Sequence, residues 1–305
     1  MVRKTDPKNV ASRVAIKPAE MPGLGYLPES VEAILAIQLP LLLEKMGPEA
    51  QKDPSAALLK LGVPQSVVET LERASGVGLK NVDQIVMGVG FEKGSLPPQL
   101  FVIVHSREPF DIDAVVRQSK ASTLKKDGRT LHSVKGTALW ETVWWSPNDR
   151  VLISTLLPRD YESVPLEPRT GIEHLRSDLT RLLRERIPSD AVGWLVASSD
   201  RWAQHLKPYT WMPMSPLKGR DDLLGPAERF RSATMSIPQA EDGGVEVRID
   251  LKTAQAADVF RGNLRQRFEG EEIEVGGNEE SVTIRSPFEP ARFGSILSRL
   301  IVTQN

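Results

Sequence analysis

One arrangement occurs twice in this chain, and it limits what the chain can fold into. From Val82 to Lys120 the sequence reads strand, turn, strand, helix: VDQIVMGVGF, EKGSLPP, QLFVIVHS, FDIDAVVRQSK. From Ser232 to Phe268 the order returns as SATMSIPQ, AEDGG, VEVRIDLK, TAQAADVFRGNLRQRF. The elements before and after each run also correspond in order. A unit of this size cannot bury its own sheet face, and two such units can share a core. The expected fold is therefore α+β. It has two related halves, each a mostly antiparallel sheet with helices packed on one face. Residues 25–188 form the first repeat and 189–305 the second.

Residues 1–24 are polar and punctuated by Pro and Gly, with no sustained period. They read as a flexible lead-in or linker that can be removed without cost. Val31–Gln38 reads as a strand. Pro40 suits the first turn of a helix that stops at Gly47. Asp53 and Asp111 stand where helix N-caps belong. Gln65–Ser75 is amphipathic, with Val67, Val68 and Leu71 on one face. Asp127-Gly128 and Pro147-Asn148-Asp149 mark turns between strands. Ile172–Ile187 reads as a helix, Ala191–Ser199 as a strand, and Pro290–Thr303 as a closing helix.

Composition narrows the function classes. Lys and Arg number 39 against 40 Asp and Glu, a formal net charge of −1. That leaves no basic footprint for nucleic acid and no polybasic membrane patch. The chain has no cysteine, which removes disulfides, thiol catalysis and Cys-ligated metals. No apolar run approaches the roughly 20 residues of a membrane span, and no signal core follows the basic N-terminus. A soluble chain without an address is expected.

Chemistry-bearing motifs are sparse. Gly88-Val89-Gly90 with Gly94 has the spacing GxGxxxG and is followed by a strand, so no helix end is present to hold a phosphate. The four histidines, His105, His132, His174 and His205, lack metal-ligand spacing. Paired carboxylates sit at turns, where solvent keeps them ionised. No catalytic residue, metal ligand or cofactor is assigned. Two groups remain. In Ser199, Asp200 and Arg201, a polar cluster follows a strand; it is read either as a helix cap with Asp200 accepting the first amides or as a site between the halves. Trp140, Trp144 and Trp145 fall on one strand, with Trp144 and Trp145 on opposite faces. They serve core packing or a partner surface.

The segments GYLPESVEAILAIQ, NVDQIVMG, QLFVIVHSREPFD and KDGRTLH carry a resemblance. Over about residues 25–302 the chain resembles an uncharacterised duplicated domain of bacterial proteins, sometimes attached outside the membrane to Ser/Thr protein kinases. The resemblance implies no catalytic residues. It implies an extracytoplasmic location if a membrane-anchored parent carries the chain, and a cytoplasmic one otherwise. The expectation is a non-catalytic binding or interaction domain for an unknown protein or small ligand, possessing sensor-like character. The alternatives are an enzyme with a site between the halves near Ser199, Asp200 and Arg201, and a structural scaffold.

Overall fold

The computed structural model describes residues 14–61, 68, 78–91, 98–135, 141–211, 218–219, 221, 224–240 and 242–290. Its strands are β1 (Val31–Gln38), β2 (Val82–Gly90), β3 (Gln99–Ser106), β4 (Ser122–Lys126), β5 (Arg129–Lys135), β6 (Glu141–Asn148), β7 (Val151–Thr155), β8 (Ala191–Ser198), β9 (Phe230–Pro238), β10 (Val245–Leu251), β11 (Glu274–Gly276) and β12 (Ser281–Ser286). Its helices are α1 (Leu39–Met46), α2 (Pro48–Lys52), α3 (Pro54–Lys60), α4 (Ile112–Ser119), α5 (Ser177–Arg186), α6 (Trp202–Trp211), α7 (Leu224–Arg229) and α8 (Ala254–Arg267). Short 3-10 turns span Pro18–Glu20, Pro22–Tyr26 and Pro158–Ser163.

The strands form one sheet in the order β11-β12-β10-β9-β8-β1-β2-β3-β7-β6-β5-β4, and neighbours run antiparallel. The fold is α+β. The run β2-β3-α4 and the run β9-β10-α8 have the same connectivity, each a hairpin followed by a helix. The halves meet at β1 and β8, where Leu35 pairs with Leu195 midway along the contact. The sheet is thus continuous across the boundary at residue 189.

Local chemistry sets the helix ends. Gly47 sits at φ 96°, beyond the reach of most side chains, and stops α1. The carboxylates of Asp53 and Asp111 accept the amides of Ala56 and Ala114 at 3.0 Å, and Thr253 Oγ1 accepts that of Ala256 at 3.2 Å. The Asp127-Gly128 turn has φ of 49° and 74°, the two positive values of a tight hairpin turn. Ile172–Ile187 is helical only from Ser177 to Arg186. The amphipathic stretch 65–75 and the closing helix 290–303 lie almost entirely outside the described residues.

Two apolar layers sandwich the sheet. On one face α1, α2, α3, α4 and α8 cover Ile85, Val104, Trp144, Leu152, Val247 and Ile284. Among the described residues, the opposite face is covered over the first half and β8. There Met21, Leu24, Tyr26 and Leu27 from the N-terminal 3-10 turns, Tyr161, Val164 and Ile172 from the crossover, and Leu179 and Leu183 from α5 pack on Ile34, Phe101, Ile103, Trp145, Ile153 and Trp194. Residues 18–24 are therefore core, not the detachable lead-in that composition suggests. Met21 and Leu24 are 2% and 1% exposed, and two closely spaced side chains suffice to anchor a segment with no helical period. Gly88 belongs to this packing: a Cβ there would meet the Leu27 and Val31 side chains at 2.6 and 2.9 Å.

Candidate functional site

Beyond β8 the second face changes character. Side chains alternate along a strand, so the register across the sheet defines rows on one face. One row reads Trp194, Ser236, Glu246, Arg285, Glu274. The next reads Val196, Thr234, Arg248, Thr283, and the third Ser198, Ser232, Asp250, Ser281. Apolar residues end at β8, and the outer strands present hydroxyls and charges. On the other side of the same strands Met235, Val247 and Ile284 are packed under α8. Among the described residues α5 alone flanks the polar face.

The polar rows are internally bonded. Ser232 Oγ donates to Asp250 at 2.8 Å, and Arg248 donates to Ser281 Oγ at 2.8 Å. Arg285 pairs with Glu246 at 2.8 Å, and Arg231 with Glu280 at 3.1 Å. Three grooves of about 710, 570 and 250 Å³ lie over this face. The first has walls of Pro188, Pro238 and Pro287 against Glu246, Glu274 and Arg285. The second runs between α5, which contributes Arg181, Glu185 and Arg186, and the turn at Asn278–Glu280. Together the grooves are lined by ten carboxylates and five arginines. The whole chain carries −1, so negative charge is concentrated here.

The cluster at Ser199, Asp200 and Arg201 stands at the inner end of this face. Ser199 Oγ accepts the Arg201 amide at 3.1 Å, a local turn just ahead of α6. Asp200 is exposed and lines the second groove, while its carbonyl accepts from Lys252 at 3.0 Å. Folding adds partners from distant sequence. The Glu32 carboxylate, 3% exposed on β1, accepts from Arg201 at 3.3 Å, lies 3.5 Å from Arg176, and meets His205 Nε2 at 2.9 Å. Arg176 continues to Asp178 at 2.7 Å. Sequence reasoning missed Glu32 and Arg176 and gave His205 no role, and Glu32 inside an apolar strand was the available signal.

This cluster resembles a serine–histidine–carboxylate relay in composition but not in geometry. Ser199 Oγ and Glu32 both meet the same nitrogen, His205 Nε2, at 3.1 and 2.9 Å. A relay needs the carboxylate on one ring nitrogen and the hydroxyl on the other. Ser199 is also 3% exposed and already accepts the Arg201 amide. The His205 ring stacks on Phe91 at 4.2 Å. Burial pushes its pKa below the ordinary 6.5, against the pull of Glu32. Burial works to raise the Asp178 carboxyl, yet Ser198, Arg176 and the Leu179 amide hold it below its usual range. The arrangement is a buried ion network tying β1, β8, α5 and α6 together.

The tryptophans lie elsewhere. Trp144 and Trp145 point to opposite faces, and each is 3% exposed. Trp144 packs on His132 at 4.4 Å, and Trp145 has the Arg129 guanidinium 5.6 Å over its ring. Both rings are core, since helices and crossover cover both faces of β6, so neither offers a partner surface. Trp140 lies outside the described residues. Among the described residues, no group of three or more His, Asp or Glu is placed to hold a metal ion, and no helix is long and apolar enough to cross a membrane.

No protein-family profile matches the chain, and no curated protein matches it. Among solved structures, crystal form I of TP0453 aligns over 91% of this chain and 97% of that one, with 8% identity and a TM-score of 0.45.

Proposed function

We propose that this chain is a non-catalytic binding module and that its partner is a cationic polypeptide segment laid along the polar face of the second half. One observation carries the reading: the second sheet face is apolar and covered in one half, and polar, grooved and net acidic in the other. A face kept free of apolar side chains needs no permanent cover, and carboxylates in excess of arginines favour a positive ligand. The shared nitrogen at His205 and the buried Ser199 weigh against acyl-transfer chemistry in the neighbouring cluster. The matching connectivity of the two hairpin-plus-helix runs supports reading them as copies of one unit, of which the second keeps its open face. The resemblance to duplicated bacterial domains supports the same role, outside the membrane where a parent protein provides an anchor.

The test is titration of a labelled Lys-rich peptide and a Glu-rich peptide of equal length, followed by fluorescence anisotropy. The Lys-rich peptide should bind. Its affinity should fall as added salt shortens the Debye length from about 10 Å to about 3 Å. Glu279→Gln with Glu280→Gln should weaken it. Equal binding of both peptides, or binding untouched by the two substitutions and by salt, would refute the reading.

A further inference from the structure

Strand β10 runs through the middle of the polar face, between β9 and β12. Its residues on that face are Glu246, Arg248 and Asp250, since Val245, Val247 and Ile249 pack in the helix-covered layer. Charge along the strand therefore runs negative, positive, negative. The neighbouring strands and turns reinforce this order. At the Glu246 end, the largest groove adds Asp242, Glu272 and Glu274 against Arg285 alone. In the middle row Arg248 stands between Thr234 and Thr283, and the smallest groove, which it lines with Thr283 and Gly276, holds two arginines against one carboxylate. At the Asp250 end, the second groove holds six carboxylates against four arginines. Among the described residues, the face is thus a positive band between two negative ones. Glu246 and Asp250 are four residues apart, which in a strand is about 13 Å.

We propose that the segment accepted by this face is an extended peptide running along β10, with a basic, an acidic and a basic residue at alternate positions; this order rests on the binding role proposed above. An extended chain points every second side chain to one side, about 6.7 Å apart, which is the repeat of Glu246, Arg248 and Asp250. Its two cations then fall over the negative ends, and its carboxylate falls over Arg248. A run of lysines still meets a net acidic face but sets one cation against Arg248, and opposed like charges are unfavourable. The pattern is symmetric about its centre, so either chain direction satisfies it. A helix is the poorer occupant. It docks by burying an apolar stripe, and beyond β8 the three rows present no apolar side chain to it. Pro238, Pro287 and Ile273 at the wall of the largest groove instead suit the methylene stem of one Lys or Arg.

The test compares peptides of one composition and one net charge on the full-length chain. The first is SKSESKS, with Lys, Glu and Lys at alternate positions. The second is its isomer SKSKSES. A third carries Lys, Glu and Lys four residues apart in an Ala-rich helix, which spaces them by about 6 Å along the axis. Each bears the same neutral dye, and the Lys-rich peptide is titrated in parallel by fluorescence anisotropy. The first peptide should bind roughly three- to tenfold more tightly than its isomer, the scale of a few exposed charge pairs. Arg248→Gln should remove most of that preference, with a thermal melt confirming that the variant folds. The comparison of isomers uses the unaltered chain and stands whether or not the variant folds. Equal binding of the two isomers, with the Lys-rich peptide still bound, overturns the charge order and leaves the binding role intact. No binding by any peptide, the Lys-rich one included, overturns both. Tighter binding of the helical peptide overturns the extended conformation. A preference that persists in folded Arg248→Gln overturns the part assigned to Arg248.

Discussion

Glu32 is a carboxylate inside a sheet, held by three groups from two other segments: Arg176 before α5, and Arg201 and His205 at the start of α6. Glu32→Gln keeps the shape and removes the charge that compensates them. Losing one partner of a buried network is costly, but the Arg176 and Arg201 side chains are 34% and 49% exposed and recover part of their solvation. The expected loss is about 1–2 kcal/mol, read as a lower urea midpoint with an unchanged slope; an unchanged midpoint would show that the network adds no stability. A second expectation concerns pH. His105, His132, His174 and His205 are each held below the ordinary 6.5, with burial the first cause in every case. The unfolded chain takes up protons that the folded chain resists, so stability is full above about pH 6.5 and declines as pH falls below it. Thermal melts from about pH 7.5 down to about pH 5 should show this decline, and His205→Gln should make it shallower. A melting temperature that rises on acidification over that range would contradict the buried, neutral assignment.

At the scale of elements, the N-terminal 3-10 turns carry more than their sequence suggests. Leu24 is 1% exposed over the sheet, so Leu24→Ala should cost about 2–5 kcal/mol. Leu124→Ala, on the exposed strand β4, should stay within about 0.5 kcal/mol. Urea unfolding of the two variants checks the contrast, and similar losses in both would end it. Strands, hairpins and caps were legible because their signals are local: Asp127-Gly128 at a turn, Asp53 and Asp111 before helices, Pro40 after β1, alternation in β10. The cover at residues 18–24 was not, because short turns impose no period and their burial depends on Gly88 leaving room for Leu27. The ion network was equally hidden, since Glu32 lies 173 residues from His205 and 169 from Arg201. The open polar face was half legible. The alternation in VEVRIDL and SVTIRS shows polar positions, but that α5 is the one helix flanking them among the described residues depends on how the chain packs.

For the whole molecule, the seam between β1 and β8 matters most. Backbone pairing from Ala33–Ala197 to Ile37–Gly193 and the Glu32 network cross it together, so neither half presents a finished surface to the other. Calorimetry should show one cooperative transition in place of two, with the calorimetric and van't Hoff enthalpies equal. Two resolved transitions would mean that the halves unfold independently. Among the described residues the sheet ends at β4 and β11, and each end is unfit for growth in a different way. At β4 all five residues are exposed, and the rim carries Lys125 and Lys126, which would lose hydration and repel their counterparts if another chain were added. At β11 the rim is three residues long and offers too few hydrogen bonds to seed a filament. The two described ends of the ribbon of strands thus resist polymerisation, by charge at one and brevity at the other.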